Sequence, residues 1–167
     1  MSEKIIIIGC CGSGKSTLSK SIQEKTGLPL FHLDKEYYKP NWEKPTKDEW
    51  DKKILELCQK EQWIMDGNYI SSMHIRMDYA DSLIWLDINR AKCLYRAILR
   101  AIIPSKKHRS DMGDGCDERH DVEFYRFIWN FNKTTRPRIL QLIEEHKDMN
   151  VIILKNNRDL RGFLAHL

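Results

Sequence analysis

The 167-residue chain contains no CxxC pair, no internal repeat, no low-complexity tract and no hydrophobic run of membrane-spanning length. Each absence removes a class of protein. A membrane helix needs about 20 consecutive apolar residues, whereas the run from Ile5 to Ile8 is far shorter and the stretch from Cys93 to Ile103 is interrupted by Arg96 and Arg100. Ile5 to Ile8 is likewise too short for a signal-peptide core. The cysteines, Cys10, Cys11, Cys58, Cys93 and Cys116, are odd in number and scattered, with no histidine spacing that would build a zinc site. They read as reduced thiols, so the sequence predicts a cytoplasmic protein with no membrane partner. A net charge of +4 and an isoelectric point near 8.7 form only a mild basic excess. That excess suits phosphorylated ligands. Without a helix-turn-helix, basic repeat or stacking module, direct DNA binding is not expected.

What is present begins with Gly9-Cys10-Cys11-Gly12-Ser13-Gly14-Lys15-Ser16, directly after the apolar run Ile5 to Ile8. The pattern is GxxxxGK[ST], placed where a strand should turn into a helix. Glycines allow successive backbone N–H groups to curl around phosphate oxygens, and the following helix, continuing through Thr17 and Leu18, directs its positive end at them. Lys15 is positioned to reach the β- and γ-phosphates of a nucleotide and Ser16 to ligate Mg²⁺. ATP and Mg²⁺ are therefore the expected ligands, held by residues 9 to 17.

With 41% apolar residues, the length suits one domain with a single core. Strands are expected at about Lys4 to Ile8, Leu28 to Leu33, Gln62 to Asp66, Ser82 to Asp87 and Asn150 to Leu154. Helices are expected at about Lys15 to Lys25, after a Thr46/Glu49 capping box, at Ser71 to Met77, Arg90 to Ile102, Glu118 to Phe131, Arg136 to His146 and Leu160 to Ala165. Strands alternating with helices predict a parallel five-stranded sheet in a three-layer α/β/α fold. A charged segment at about 104–138 reads as a lid-like insertion.

Several side chains could carry chemistry. Asp66 and Asp87 each close an apolar strand, where ligands of such sheets bind, and the pattern alone does not rank them as Mg²⁺-organising carboxylates. Asp34 follows the second strand and either orients an acceptor hydroxyl or forms an Asx-turn into Lys35-Glu36. Tyr37, Tyr38 and Trp42 could stack on a base or sugar, or pack beneath a loop. Arg96 and Arg100 lie one helical turn apart on one face and are the first candidates for placing positive charge on a transferring phosphoryl group. Arg109, Arg119, Arg136 and Arg138 flank the lid-like segment. The aromatic run Phe124 to Phe131 fits helical packing.

The phosphate loop, Asp66-Gly67-Asn68-Tyr69, Ala80 to Asp87, Arg109-Ser110-Asp111-Met112, Gly115-Cys116, Glu118-Arg119, Phe124 to Asn130 and Arg136-Pro137-Arg138 together resemble the adenylate-kinase-related DNA topology modulation (FlaR-like) proteins, over nearly the whole chain. In the wider group of nucleoside and small-molecule kinases that this resembles, the sheet order is 2-3-1-4-5. The resemblance implies that Asp66 is the Mg²⁺-associated acid, that Arg96 and Arg100 are lid arginines, and that Lys155 to Arg158 lie near the adenine. It also shows departures. Ile70 stands where adenylate kinases carry the arginine that holds the acceptor phosphate, and Lys35 and Lys39 are the only cations between Asp34 and Pro40, with Arg76 a substitute at a different spacing. Lysine does not reproduce a bidentate guanidinium clamp. The resemblance therefore implies an acceptor that bears a hydroxyl, oriented by Asp34, with a nucleoside or small metabolite preferred over a nucleoside monophosphate. The expectation is an ATP-dependent kinase; the alternative is a nucleotide-binding regulator that affects DNA topology without kinase activity.

Overall fold

The computed structural model describes residues 3–38, 43–103 and 121–167. Five strands, β1 (Lys4–Gly9), β2 (Leu30–His32), β3 (Trp63–Asp66), β4 (Ser82–Leu86) and β5 (Asn150–Leu154), form one parallel sheet in the order β2-β3-β1-β4-β5. The expected order is thereby met. Helices α1 (Lys15–Thr26), α2 (Leu33–Tyr37), α3 (Lys47–Cys58), α4 (Met73–Met77), α5 (Arg90–Ile102), α6 (Val122–Thr134), α7 (Arg136–Glu145) and α8 (Asn157–Ala165) connect and flank it. Crossover helices cover both faces of such a sheet, which is why the central strands read as continuous apolar runs. Ile5 to Ile8, Trp63 to Met65 and Leu83 to Leu86 are all buried.

Register fixes what meets at the carboxyl edge. Ile7 lies beside Asp66, and Gly9 beside Leu86. The phosphate-loop sequence thus emerges between the ends of β3 and β4, the position at which strand order reverses and open α/β sheets bind their ligands.

Local chemistry sets the helix ends. Gly27 stops α1 in a left-handed conformation with φ 74°. Thr46 and Glu49 make the expected capping box at α3, with the Thr46 side chain accepting from the Glu49 N–H and the Glu49 carboxylate accepting from the Thr46 N–H. Several boundaries differ from the sequence reading. The second strand ends at His32, and Leu33 opens α2 instead, because its side chain is buried against Gly67 while Asp34 and Glu36 favour a helix N-terminus. Asp34 is therefore a helical residue, at the second position of α2. The last helix starts at Asn157, three residues early, because the Asn156 side chain accepts from the N–H groups of Arg158 and Asp159. Helix α6 begins at Val122, where the Asp121 carboxylate accepts from the Phe124 N–H at 2.7 Å. The start expected near Glu118 lies outside the described residues, as does 104–120 of the lid-like segment; its described remainder is α6 and the opening of α7.

Candidate functional site

The loop between β1 and α1 is built on glycines that no other residue replaces without strain. Gly12 has φ 82° and Gly14 φ 104°. A Cβ at Gly12 would lie 2.4 Å from the Cys93 carbonyl oxygen, so α5 presses directly on the loop. The Ser13 N–H closes a turn onto the Cys10 carbonyl at 3.0 Å. Cys10 lies beneath the loop with its thiol on the Ile128 carbonyl, and contact with Cys93 together with burial pushes that thiol well above the usual cysteine range. Cys10, like Gly9, does not line the cavity that the loop borders.

Lys15, at the first turn of α1, donates to the carbonyls of Gly9 (2.9 Å) and Cys10 (3.2 Å) and is held along the loop. Arg96 crosses from α5 to donate to the carbonyls of Gly12 (3.3 Å) and Ser13 (3.2 Å), and to the Asn157 side chain at 3.4 Å. One cavity of about 1240 Å³ joins these parts. Residues Cys11 to Thr17 line it, with Arg96 and Arg100 on the α5 side. Asp34, Tyr38 and Tyr69 line it on the β2 and β3 side, and Leu99, Asn157 and Leu160 where α5 meets α8.

Asp66 and Asp87, indistinguishable by pattern, have different surroundings. Asp66 is buried, lines the cavity, and accepts from the Ser19 hydroxyl at 2.9 Å while its other oxygen meets His32 Nδ1 at 2.8 Å. Asp87 is taken by Arg136, whose Nε and Nη2 donate to the carboxylate at 3.1–3.3 Å while the guanidinium lies 5.5 Å from the Trp85 ring centroid. Arg136 thus joins α7 to the end of β4. Arg138 is exposed on α7, and Arg109 and Arg119 lie outside the described residues.

Oxygen donors on Ser16 and Asp66 match a hard divalent cation such as Mg²⁺, which keeps several waters and is usually shared with substrate phosphates. The buried Asp66 carboxylate has lone pairs beyond its two hydrogen bonds with which to accept from such waters. Among the described residues no group of three or more His, Cys, Asp or Glu could hold a metal by itself.

The turn after β3, Asp66-Gly67-Asn68-Tyr69, is marked in the sequence only as a motif, with no role given to Asn68 or Tyr69. Gly67 has φ 137°, and Tyr69 has φ 32°, the one described non-glycine residue with positive φ. Asn68 pairs its side-chain amide with both backbone groups of Gly9, accepting at 3.0 Å and donating at 2.9 Å. The Tyr69 hydroxyl donates to Asp34 at 2.7 Å, and burial followed by the adjacent carboxylate raises its pKa well above the tyrosine range. Arg76 is fully buried and donates to the carbonyls of Gly67, Asn68 and Tyr69; burial lowers its pKa to about 10, so it remains a cation. A substitute acceptor clamp at Arg76 is therefore excluded: the guanidinium is spent on the turn. The Asp-Gly step marked a turn in the sequence, but nothing in spacing linked it to a cation nine residues on.

Tyr37 packs edge-on against Trp50 (4.8 Å between centroids) and Tyr38 (4.9 Å), and tilted against Tyr69 (4.8 Å). Tyr37 is thus packing, whereas Tyr38 faces the cavity; Lys39 and Trp42 lie outside the described residues. The α6 aromatics divide as well. Ile128 and Phe131 enter the core, and Phe124 and Phe127 line the cavity.

A parallel sheet of order 2-3-1-4-5 with a glycine loop wrapped at the β1–α1 junction defines a P-loop kinase-like fold. Known structures agree. The chain superposes on a candidate kinase from Chloroflexus aurantiacus J-10-fl with a TM-score of 0.53 at 16% identity, covering 100% of both chains. It is similar to a gluconokinase from Sinorhizobium meliloti 1021 with a TM-score of 0.55 at 14% identity, covering 98% of this chain and 92% of that one. At such identities the likeness is one of fold. No family model and no curated protein sequence matches the chain. Among the described residues no helix is long and apolar enough to cross a membrane.

Proposed function

We propose that the chain is an ATP-dependent kinase that transfers the γ-phosphoryl group to a small acceptor bearing a hydroxyl. The observation that carries this reading is the single cavity lined both by the loop around Lys15 and by Asp34. Donor and acceptor can meet there. Loop N–H groups and Lys15 would bind the triphosphate, with Ser16 and Asp66 holding Mg²⁺, which when bound offsets charge on the phosphate oxygens. Asp34 accepts the proton of the acceptor hydroxyl as its oxygen bonds to the γ-phosphorus. The bond from that phosphorus to the β–γ bridging oxygen breaks, and its electron pair leaves on ADP. Arg100, with Arg96 at the loop backbone, supplies positive charge beside the transferred group. A cytoplasmic setting and a lid contributed by residues 104–138 accord with this reading. The finer resemblance, to the DNA topology modulation proteins, rests on sequence motifs and specifies no acceptor.

The test is ADP release from Mg·ATP by the purified protein, screened against pooled nucleosides, nucleoside monophosphates, sugars and amino alcohols. Stimulation by a hydroxyl pool, lost in Asp34→Asn with ATP affinity retained, is the expected result. Tight ATP binding with no stimulation by any pool would overturn the kinase and favour the nucleotide-switch alternative.

A further inference from the structure

The Tyr69 backbone occupies left-handed space that an L residue with a side chain enters at a cost on the order of 1 kcal/mol or more. Such a cost persists only where surrounding structure imposes it, and here the agent is visible. Buried Arg76 donates to three successive carbonyls, those of Gly67, Asn68 and Tyr69, and so fixes the direction in which each residue of the turn projects. Gly67 is closed from the other side by Leu33, whose Cβ would lie 2.9 Å from any Cβ placed there. Leu33 and Asp34 are neighbours in α2, so the contact that seats the turn also sets the distance between Tyr69 and Asp34. The outcome is the 2.7 Å hydrogen bond from the Tyr69 hydroxyl to Oδ1 of Asp34.

We propose that Tyr69 is a positioning residue of the transfer reaction, its hydroxyl orienting the Asp34 carboxylate toward the acceptor from a turn that Arg76 holds in place. The inference rests on the kinase reading, in which Asp34 receives the acceptor proton. The Asp34 side chain is exposed and has two soft torsions of its own, and a proton acceptor is effective only within hydrogen-bond reach of the attacking hydroxyl. The Tyr69 bond narrows the orientations of that carboxylate without supplying a competing base, since its raised pKa keeps the phenol protonated at neutral pH. Its ring is itself braced, 4.8 Å from Tyr37 and 5.0 Å from Trp50 between centroids.

Two measurements on wild type, Tyr69→Phe, Asp34→Asn and the double variant test this. The first is kcat for ADP release with Mg·ATP and the most stimulating hydroxyl pool, alongside affinity for a fluorescent ATP analogue. Tyr69→Phe is expected to lower kcat on the order of 10-fold with unchanged nucleotide affinity, and to have no further effect in the Asp34→Asn background, because a residue acting through Asp34 has nothing left to position. A Tyr69→Phe enzyme at wild-type kcat beside a slow Asp34→Asn enzyme overturns the inference and leaves the kinase reading intact; a fast Asp34→Asn enzyme overturns that reading's proton acceptor instead. An undiminished effect of Tyr69→Phe in the double variant would assign Tyr69 to packing alone. The second measurement needs no turnover: the ¹³Cζ resonance of Tyr69, assigned by its loss in Tyr69→Phe, should move in Asp34→Asn, and an unmoved resonance overturns the contact.

Discussion

Gly12→Ala and Gly14→Ala form a matched pair that separates two costs in the phosphate loop. Both glycines have positive φ, 82° and 104°, so each substitution forces a side chain into left-handed backbone at roughly 1–2 kcal/mol. They differ in surroundings. The new methyl at position 14 meets nothing within 4 Å, whereas at position 12 it would lie 2.4, 3.1 and 3.3 Å from the Cys93 O, C and Cα atoms. Carbon–oxygen contacts settle at roughly 3.3 Å or more, so α5 or the loop must move by about 1 Å. Those atoms are helix backbone and cannot rotate away, and overpacking of this kind costs roughly 1–3 kcal/mol beyond the backbone term. Gly12→Ala should therefore lose about 2–5 kcal/mol and Gly14→Ala about 1–2. At roughly 2–4 °C per kcal/mol for a chain of this size, Tm falls by about 4–20 °C in the first and about 2–8 °C in the second. Thermal unfolding with and without ATP provides the assay. Moving the loop off α5 also displaces Arg96, whose guanidinium bonds the Gly12 and Ser13 carbonyls, so Gly12→Ala should lose more ATP protection than Gly14→Ala. Equal Tm shifts in the two variants would refute the claim that α5 bears directly on the loop.

Three other perturbations address separate parts of the molecule. Lys15→Ala should abolish turnover and weaken ATP binding more than ADP binding, measured by calorimetry; equal losses would deny contact with the γ-phosphate. Arg136→Ala should cost about 1 kcal/mol in denaturant unfolding, because its partner Asp87 is only partly exposed, and should leave nucleotide affinity unchanged, because neither residue lines the cavity. Burial raises the Cys58 thiol to about 11 from an ordinary value of 9.0. The unfolded chain therefore loses that proton first as pH rises, so stability conferred by the buried thiol is complete below about pH 9, falls between 9 and 11, and levels off above. Urea midpoints across that window should decline less steeply in Cys58→Ala, and parallel profiles would assign the decline to other groups.

The strands and the phosphate loop were legible because their determinants are local, whereas the strand order came from the resemblance to small-molecule kinases. An apolar run with no alternation means a strand buried on both faces, and glycines next to a Lys-Ser pair after such a run leave few readings. The shared face of Arg96 and Arg100 followed from helical spacing in the same way, and both line the cavity. What stayed hidden depends on contacts across the chain. Asp66 and Asp87 have one sequence pattern and differ in partners distant along the chain: Ser19 and His32 bond Asp66, and Arg136, 49 residues beyond Asp87, closes on Asp87. Leu33 reads as a strand residue until Gly67 offers a surface for it to pack on. Arg76 reads in the sequence only as a substitute acceptor clamp at a different spacing, and its burial is not foreseen there, since a charge is seldom fully buried without a carboxylate; three backbone carbonyls take that role here, and backbone acceptors leave no mark in a sequence.

The phosphate loop and the turn after β3 meet at Gly9. Its N–H and carbonyl are both engaged by the Asn68 amide, and the same carbonyl accepts from Lys15, the residue expected to reach the γ-phosphate. A methyl at position 9 would lie 2.7 Å from the Leu86 carbonyl, so β4 constrains Gly9 from its other side. Asn68 belongs to the turn that Arg76 fixes, and the next residue in that turn bonds Asp34. One four-residue segment, Asp66 to Tyr69, therefore contacts the candidate metal position, the entry to the phosphate loop and the candidate proton acceptor in succession. For in-line transfer the donor phosphorus and acceptor hydroxyl must be registered to within a few tenths of an ångström, and separate loops would each add their own excursions to that distance. Carrying both ends on a single turn makes those excursions common to donor and acceptor, so that they cancel. On the proposed kinase reading, the left-handed backbone at Tyr69 and the burial of the Arg76 cation without a carboxylate are costs incurred for that registration.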